Sequence, residues 1–304
     1  MTSETVLVTG AGGFLGRHAV ARLARSVERR VIAVFRRLDA ARIAALGPAE
    51  IIEADLTTAE GWQRLPNDVT SVLHLAATLP GDDPSRYADN LTMAKLLVER
   101  AEGWSLLRNV VHSSSILAYG RQSVVLREEL APEDPDPYGA SKLAVERLLS
   151  ELDVPVTSLR YSSIYGPGQS VTSVLPLFIE RAERGEILLL YGDGRRMQDF
   201  IYVEDAVAAL ELALTAAAEG VYNAGSGHPT SMQALAMNVL DLFGEPGARI
   251  EHDWQRIDRA PSVTLDIGRA RAELGYEPAY DLRAGLEAYR AETQTPIGAR
   301  GHNT

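Results

Sequence analysis

The sequence predicts an α/β fold, a doubly wound parallel sheet with helices on both faces, and three observations point there. Short apolar runs alternate with amphipathic, helix-length stretches through the first half of the 304 residues. The runs are rich in Val, Ile and Leu, as strands covered on both faces require. The first of them, Val6-Leu7-Val8-Thr9, ends in a glycine turn, Gly10-Ala11-Gly12-Gly13-Phe14-Leu15-Gly16, that opens a helical segment.

In chain order, strands are expected over 5–9, 30–35, 50–53, 70–75, 109–114 and 155–160, with helices over 14–26, 39–46, 87–102 and 137–151. Regularity falls after residue 160. Gly, Pro and loop signals crowd 165–170 and 192–195, an Ala-rich helix follows over about 204–218, and a late strand and turn lie at 220–225. There is no internal repeat and no low-complexity segment. The tail after about residue 292 lacks periodicity and is expected to be mobile.

Composition narrows the function classes. The length suffices for a full core, in one large domain or two unequal ones. A net charge of −11 argues against nonspecific nucleic-acid binding. The chain has no cysteine, hence no disulfide framework and no thiolate metal site. Its histidines (18, 74, 112, 228, 252 and 302) show no metal-ligand spacing, and His74 and His112 are expected to be structural. Trp62, Trp104 and Trp254 are expected to pack. No apolar signal segment or bilayer-length run is seen, so a cytoplasmic, membrane-free protein is expected.

A strand, a glycine turn and a helix start in this order form the dinucleotide-binding unit of a Rossmann fold. Glycine lets the backbone pass close to a pyrophosphate, and free helix N–H groups point at it. Gly10, Gly12, Gly13, Phe14, Leu15 and Gly16 are therefore candidate cofactor residues. Where NAD-binding domains place a ribose-binding carboxylate, the second strand ends Phe35-Arg36-Arg37. Two guanidiniums suit a 2′-phosphate, which favours NADP, with NAD as the alternative if the arginines are merely solvated. Asp55 and Leu56, after the third strand, are placed to touch the adenine edge.

The chemistry-bearing string is Tyr138-Gly139-Ala140-Ser141-Lys142. Pro137 before it suits a helix start, and residues four apart share a helix face. A lysine ammonium beside a phenol lowers the phenol pKa, so Tyr138 is expected to exchange a proton with substrate while hydride moves to or from a nicotinamide. The apolar run Val110–Val111 ends in Ser113-Ser114-Ser115, 23 residues before Tyr138. One of these hydroxyls can bond the same substrate oxygen; alternatively they satisfy backbone groups at the strand end.

With these motifs the chain resembles an extended short-chain dehydrogenase/reductase of the NAD-dependent epimerase/dehydratase family, in its nucleotide-sugar branch. The glycine spacing fits, as do His74-Leu75-Ala76-Ala77, Asn90, Ser113 to Gly120, and Arg160 to Pro167. Tyr191-Gly192-Asp193-Gly194, Asp199 to Asp205, Tyr222 to Gly227 and Glu273 to Pro278 fit too. The resemblance implies Ser115 as substrate-binding hydroxyl, Tyr138 as acid/base and Lys142 as its partner. Ala76, Ala77, Tyr161 and Ile164 would line the cofactor, and Thr78 and Ser163 the substrate. It further implies a Rossmann cofactor domain (1–165 plus roughly 198–225), a smaller C-terminal α/β substrate domain (roughly 166–197 plus 226–292), a tail at 293–304, and a homodimer formed through the 87–102 and 137–151 helices.

Departures from the family pattern sharpen the expectation. Dehydratases of the family read Thr-Asp-Glu where this chain has Ser115, Ile116 and Leu117, so 4,6-dehydration is not expected. Ser163 replaces a frequent Asn, and Gln198 a frequent phosphate-binding Arg, for which Arg195 or Arg196 can substitute. Arg259 matches a second phosphate-binding arginine. The expected function is reduction of an NDP-4-keto-6-deoxyhexose. The alternatives are an NDP-sugar 4-epimerase and, in another class, a non-catalytic dinucleotide-binding regulator.

Overall fold

The computed structural model describes residues 4–294 apart from 45, 80–82, 123, 172 and 259. The strands are β1 (Glu4–Thr9), β2 (Arg29–Phe35), β3 (Glu50–Glu53), β4 (Ser71–His74), β5 (Asn109–Ser115), β6 (Val125–Leu126), β7 (Val156–Tyr161), β8 (Ser163–Tyr165), β9 (Ile187–Tyr191), β10 (Met197–Gln198), β11 (Phe200–Tyr202), β12 (Gly220–Ala224), β13 (Thr230–Ser231), β14 (Arg249–Asp253) and β15 (Thr264–Leu265). The helices are α1 (Phe14–Leu23), α2 (Ala40–Ala44), α3 (Ala59–Gln63), α4 (Ala88–Ala101), α5 (Pro137–Leu149), α6 (Val174–Glu183), α7 (Val203–Ala216), α8 (Met232–Phe243), α9 (Gly268–Leu274) and α10 (Leu282–Gln294).

Seven strands form one parallel sheet in the order β12-β7-β5-β4-β1-β2-β3. Side chains alternate across it. Val6, Val8, Ala33, Leu73, Val111 and Leu159 join the core that holds α1 and α7, whereas Leu7, Ile32, Val72, Val110 and Val156 face α4 and α5. This is the doubly wound architecture expected. The smaller C-terminal part is built on parallel β9–β14 and antiparallel β10–β13 pairs, with α6 and α8 packed together.

Most expected elements of the first half appear within a residue or two. The first helix ends earlier, at Leu23, and α5 at Leu149. α10 continues to Gln294, into the expected tail; residues 295–304 lie outside the described residues. His74 and His112 are buried side by side on β4 and β5, ring centroids 5.6 Å apart. Trp62 and Trp104 pack as expected, but Trp254 is 70% exposed and stacks on His252 at 5.0 Å, so its indole is not core.

Candidate active site

The glycine turn joins β1 to α1 at the carboxyl edge of the sheet. Gly10 has φ +66°, and a Cβ there would lie 2.7 Å from the Ala76 backbone nitrogen. A Cβ at Gly16 would lie 2.2 Å from the Gly10 carbonyl oxygen, so the turn closes only without side chains. Gly13 caps α1 with no side-chain acceptor, and no acidic residue stands in the first turn. Such a helix start suits an anion of pyrophosphate type.

A cavity of about 660 Å³ runs from this turn along the carboxyl ends of β2, β4, β5 and β7. Gly10, Gly12, Gly13, Phe14, Leu15 and Gly16 form one wall, and Arg36, Arg37, Asp55, Leu56, Ala76 and Ala77 continue it. Two arginines that sequence reasoning missed join this end. Arg42 on α2 donates to the Gly12 carbonyl at 2.8 Å, and Arg86 lines the cavity while pairing with Asp89 at 3.4 Å. The Asp55 carboxylate accepts from the Thr57 N–H at 3.0 Å and its hydroxyl at 2.7 Å. These bonds, with the fields of Arg36 and Arg86, hold it below the usual carboxylate range. Leu56 is buried, its carbonyl accepting from the Trp62 indole at 2.9 Å.

The catalytic candidates converge at the other end. Asp136 caps α5 by accepting from the Gly139 N–H at 2.7 Å, with Pro137 opening the helix. Tyr138 and Lys142 are buried, and both line the cavity together with Ser115. Ser115 Oγ accepts from the Leu117 N–H at 3.2 Å and caps the turn that follows β5. Thr78 is pinned by Asn90, whose Oδ1 accepts its N–H at 2.7 Å and whose Nδ2 donates to Ser141 on α5 at 3.0 Å. Tyr161 donates its hydroxyl to the Ala206 carbonyl at 2.8 Å, and burial holds its proton well above the usual range. Its phenol is structural, while Tyr161, Ser163 and Ile164 all line the cavity.

The expected lowering of the Tyr138 pKa is not met. Burial pushes this phenol above its usual range, and Asp136 and Tyr87 add to the rise. Lys142 Nζ lies 5.8 Å from the phenol ring centroid and donates to the Ser113 carbonyl at 2.6 Å. Burial lowers this ammonium to about 8, against the charge of Glu146. Desolvation of the phenol thus outweighs the field of a lysine aimed at a carbonyl.

The substrate candidates divide. Ser163 Oγ accepts from Gln198 Nε2 at 2.7 Å, so the two positions that depart from the family pattern touch each other. Gln198 Oε1 in turn accepts from Arg196 at 2.8 Å, and Arg196 is paired with Asp258 at 2.6 Å. Arg196 lines a separate cavity of about 480 Å³ with Tyr191, Trp254 and Asp258, not the one that holds Tyr138. Arg195 is 88% exposed and pairs with Asp193 at 3.3 Å. Arg259 lies outside the described residues. Among the described residues no group of three or more His, Asp or Glu is placed to hold a metal ion.

One signal in the sequence marks Lys142 independently. The chain holds 28 arginines and two lysines, Lys95 and Lys142. Burial tunes an ammonium readily but not a guanidinium, so lysine here is a chemical choice.

The model of the NAD dependent epimerase/dehydratase family matches residues 6–225. A trifunctional UDP-glucose 4,6-dehydratase/UDP-4-keto-6-deoxy-D-glucose 3,5-epimerase/UDP-4-keto-L-rhamnose-reductase of Arabidopsis thaliana is 28% identical over 310 residues, covering 94% of this chain and 46% of its own. The chain thus spans about half the length of that relative. The UDP-glucose 4-epimerase of Thermotoga maritima, solved with UDP-glucose, is 28% identical with a TM-score of 0.81, covering 95% of this chain and 98% of its own. MoeE5, solved with UDP-glucose and NAD, is 32% identical with a TM-score of 0.79 over the same shares. The fold and site define a dinucleotide-binding α/β protein of the extended short-chain dehydrogenase/reductase type. The chain belongs to the NAD-dependent epimerase/dehydratase family.

Proposed function

We propose that this protein is an NAD(P)-dependent oxidoreductase that acts on a nucleotide sugar by hydride transfer, reducing the keto group of an NDP-4-keto-6-deoxyhexose. The observation that carries this reading is the convergence of Ser115, Tyr138 and Lys142 on the cavity that begins at the uncapped glycine turn. The glycine cradle fits a pyrophosphate, and Arg36, Arg37 and Arg42 line the same cavity, where their guanidiniums would suit a 2′-phosphate; this supports NADP over NAD. MoeE5 binds NAD, so NAD remains the competing cofactor. When bound, the nicotinamide supplies the hydride. Ser115 donates a hydrogen bond to the substrate carbonyl oxygen, and Tyr138 delivers the proton that this oxygen takes up as the carbonyl becomes an alcohol. Burial keeps Tyr138 protonated, the form that reduction requires.

In this reading 4,6-dehydration is not the reaction. Ile116 and Leu117 put no carboxylate beside Ser115. The carboxylates lining the cavity among the described residues, Asp55 and Asp89, are bonded to Thr57 and Arg86. Retention of both Tyr138 and Lys142 weighs against a non-catalytic regulator. The second reading is an NDP-sugar 4-epimerase, favoured by the likeness to the Thermotoga maritima enzyme. Residues 1–165 with 198–225 would hold the cofactor, and 166–197 with 226–292 the substrate. A cytoplasmic homodimer joined through α4 and α5 completes the proposal; among the described residues no helix is long and apolar enough to cross a membrane.

Mass spectrometry of products and cofactor against UDP-, GDP- and dTDP-sugars and their 4-keto-6-deoxy forms tests it. Stoichiometric NADPH loss with a keto sugar is expected. Interconversion of two sugars without added cofactor would select the epimerase, and a 4-keto-6-deoxy product from an NDP-hexose would overturn the exclusion of dehydration.

A further inference from the structure

One turn beyond Lys142 on α5 stands Glu146, outside the cavity lining. Its side chain and that of Arg160 on β7 are each 5% exposed. Arg160 grips the carboxylate with two bonds, Nε to Oε1 at 2.9 Å and Nη2 to Oε2 at 2.7 Å. Ser114 on β5 donates its hydroxyl to the same carboxylate. The Arg160 guanidinium also lies 4.3 Å from the ring centroid of Tyr119, whose hydroxyl donates to Asn223 on β12 at 2.7 Å. A fully buried ion pair adds little to stability compared with apolar residues of the same shape, so its place here calls for another reason.

The reason lies in what it grips. The end of β5 is tied to α5 at consecutive residues: the Ser113 carbonyl accepts from Lys142 and the Ser114 hydroxyl bonds Glu146. The next residue is Ser115. We propose that Glu146, locked by Arg160, is a positioning residue that holds the Lys142 ammonium on Ser113 and the Ser113–Ser115 strand end against α5, so that Ser115 and Tyr138 meet one substrate oxygen.

The charges around the pair agree. His74 on β4 and His112 on β5 face Lys142, and burial disfavours the charged form of both. Tyr138 shares its helix, Tyr119 and Arg160 stand behind Glu146, and Glu128 acts on Tyr119. α4 packs along α5, with the neutral Asn90 bonding Ser141, and Tyr87 just before α4 packs its ring on Tyr138 at 5.7 Å. Among the described residues the anion acting on Lys142 is Glu146, which supports the ammonium against burial. The catalytic meaning of this rests on the function proposed above, but its test needs neither substrate nor cofactor and so stands or falls separately.

With only two lysines in the chain, Lys95→Arg leaves Lys142 as the single signal in full-length protein labelled with ¹³Cε-lysine. Its titration is followed by NMR. In that background Glu146→Gln with Arg160→Gln removes both charges and strands neither. The Lys142 midpoint is expected to fall from near 8 by about one pH unit, tenfold in its proton affinity. Glu146→Asp keeps the charge but draws it back by one methylene, and covers the case in which the double variant does not fold; a smaller fall is expected there. An unmoved midpoint in the folded double variant, or in Glu146→Asp if the double variant does not fold, overturns the proposal.

Discussion

Tyr138 is a buried phenol that holds its proton tightly, and four residues on, Lys142 is an ammonium that burial loosens to about 8. Positioned proton transfer contributes roughly 10²–10⁴-fold to a rate. Tyr138→Phe should therefore lower kcat by about a hundredfold or more with little change in KM; an unchanged kcat would remove Tyr138 from the chemistry. At the other end, Arg36→Asp should raise the Kd for NADPH by about tenfold or more and leave that for NADH nearly unchanged, since only the former brings a 2′-phosphate. Equal losses, read by calorimetry, would defeat the NADP assignment. Tyr138 and Lys142 were legible because helix geometry converts a spacing of four into one face. Arg42 was not, because it reaches Gly12 across 30 residues of chain and is one arginine among 28. The Glu146–Arg160 pair was hidden for the same reason: it joins α5 to β7, and its third partner, Ser114, stands beside Arg160 only once β5 and β7 pair.

Elements of the main sheet were readable because strands buried on both faces must be continuous apolar runs. Beyond residue 162 the reading thinned. β8, β10, β11, β13 and β15 are two or three residues long, too short to show a period. α8 does carry a helical pattern, burying Met232, Leu235, Ala236, Val239, Leu242 and Phe243, but it stands amid Gly and Pro turns that mask it. At the β1–α1 turn, Gly16→Ala puts a Cβ into the Gly10 carbonyl. Dinucleotide affinity should fall by more than about tenfold as the anion cradle opens. Binding as tight as in the parent would mean that the turn does not hold the pyrophosphate. Across β4 and β5, His74 is held near 3 by burial and by Lys142, against about 6.5 for an unfolded histidine. The unfolded chain thus takes up a proton first as pH falls, and stability is lost from about 6.5 downward. Between pH 6.5 and 5 this amounts to about 2 kcal/mol for His74. The thermal midpoint should drop over that range more steeply than in His74→Asn; parallel curves would contradict it.

At the scale of the molecule, an acidic chain of net charge −11 keeps arginines 36, 37, 42 and 86 and the buried Tyr138 and Lys142 on the walls of one cavity. Ser163 on β8 and Gln198 on β10 bond each other, and that link leads through Arg196 to the second cavity. On the function proposed above, cofactor and keto sugar would meet between Ser115 and Tyr138, and a hydride would cross. NADPH carrying deuterium at the transferable position of its nicotinamide C4 tests this most directly, with mass spectrometry of the sugar product. One deuterium in each product alcohol, matched by one NADPH oxidised and abolished in Tyr138→Phe, is the predicted result. A converted sugar without deuterium and without loss of NADPH would contradict it.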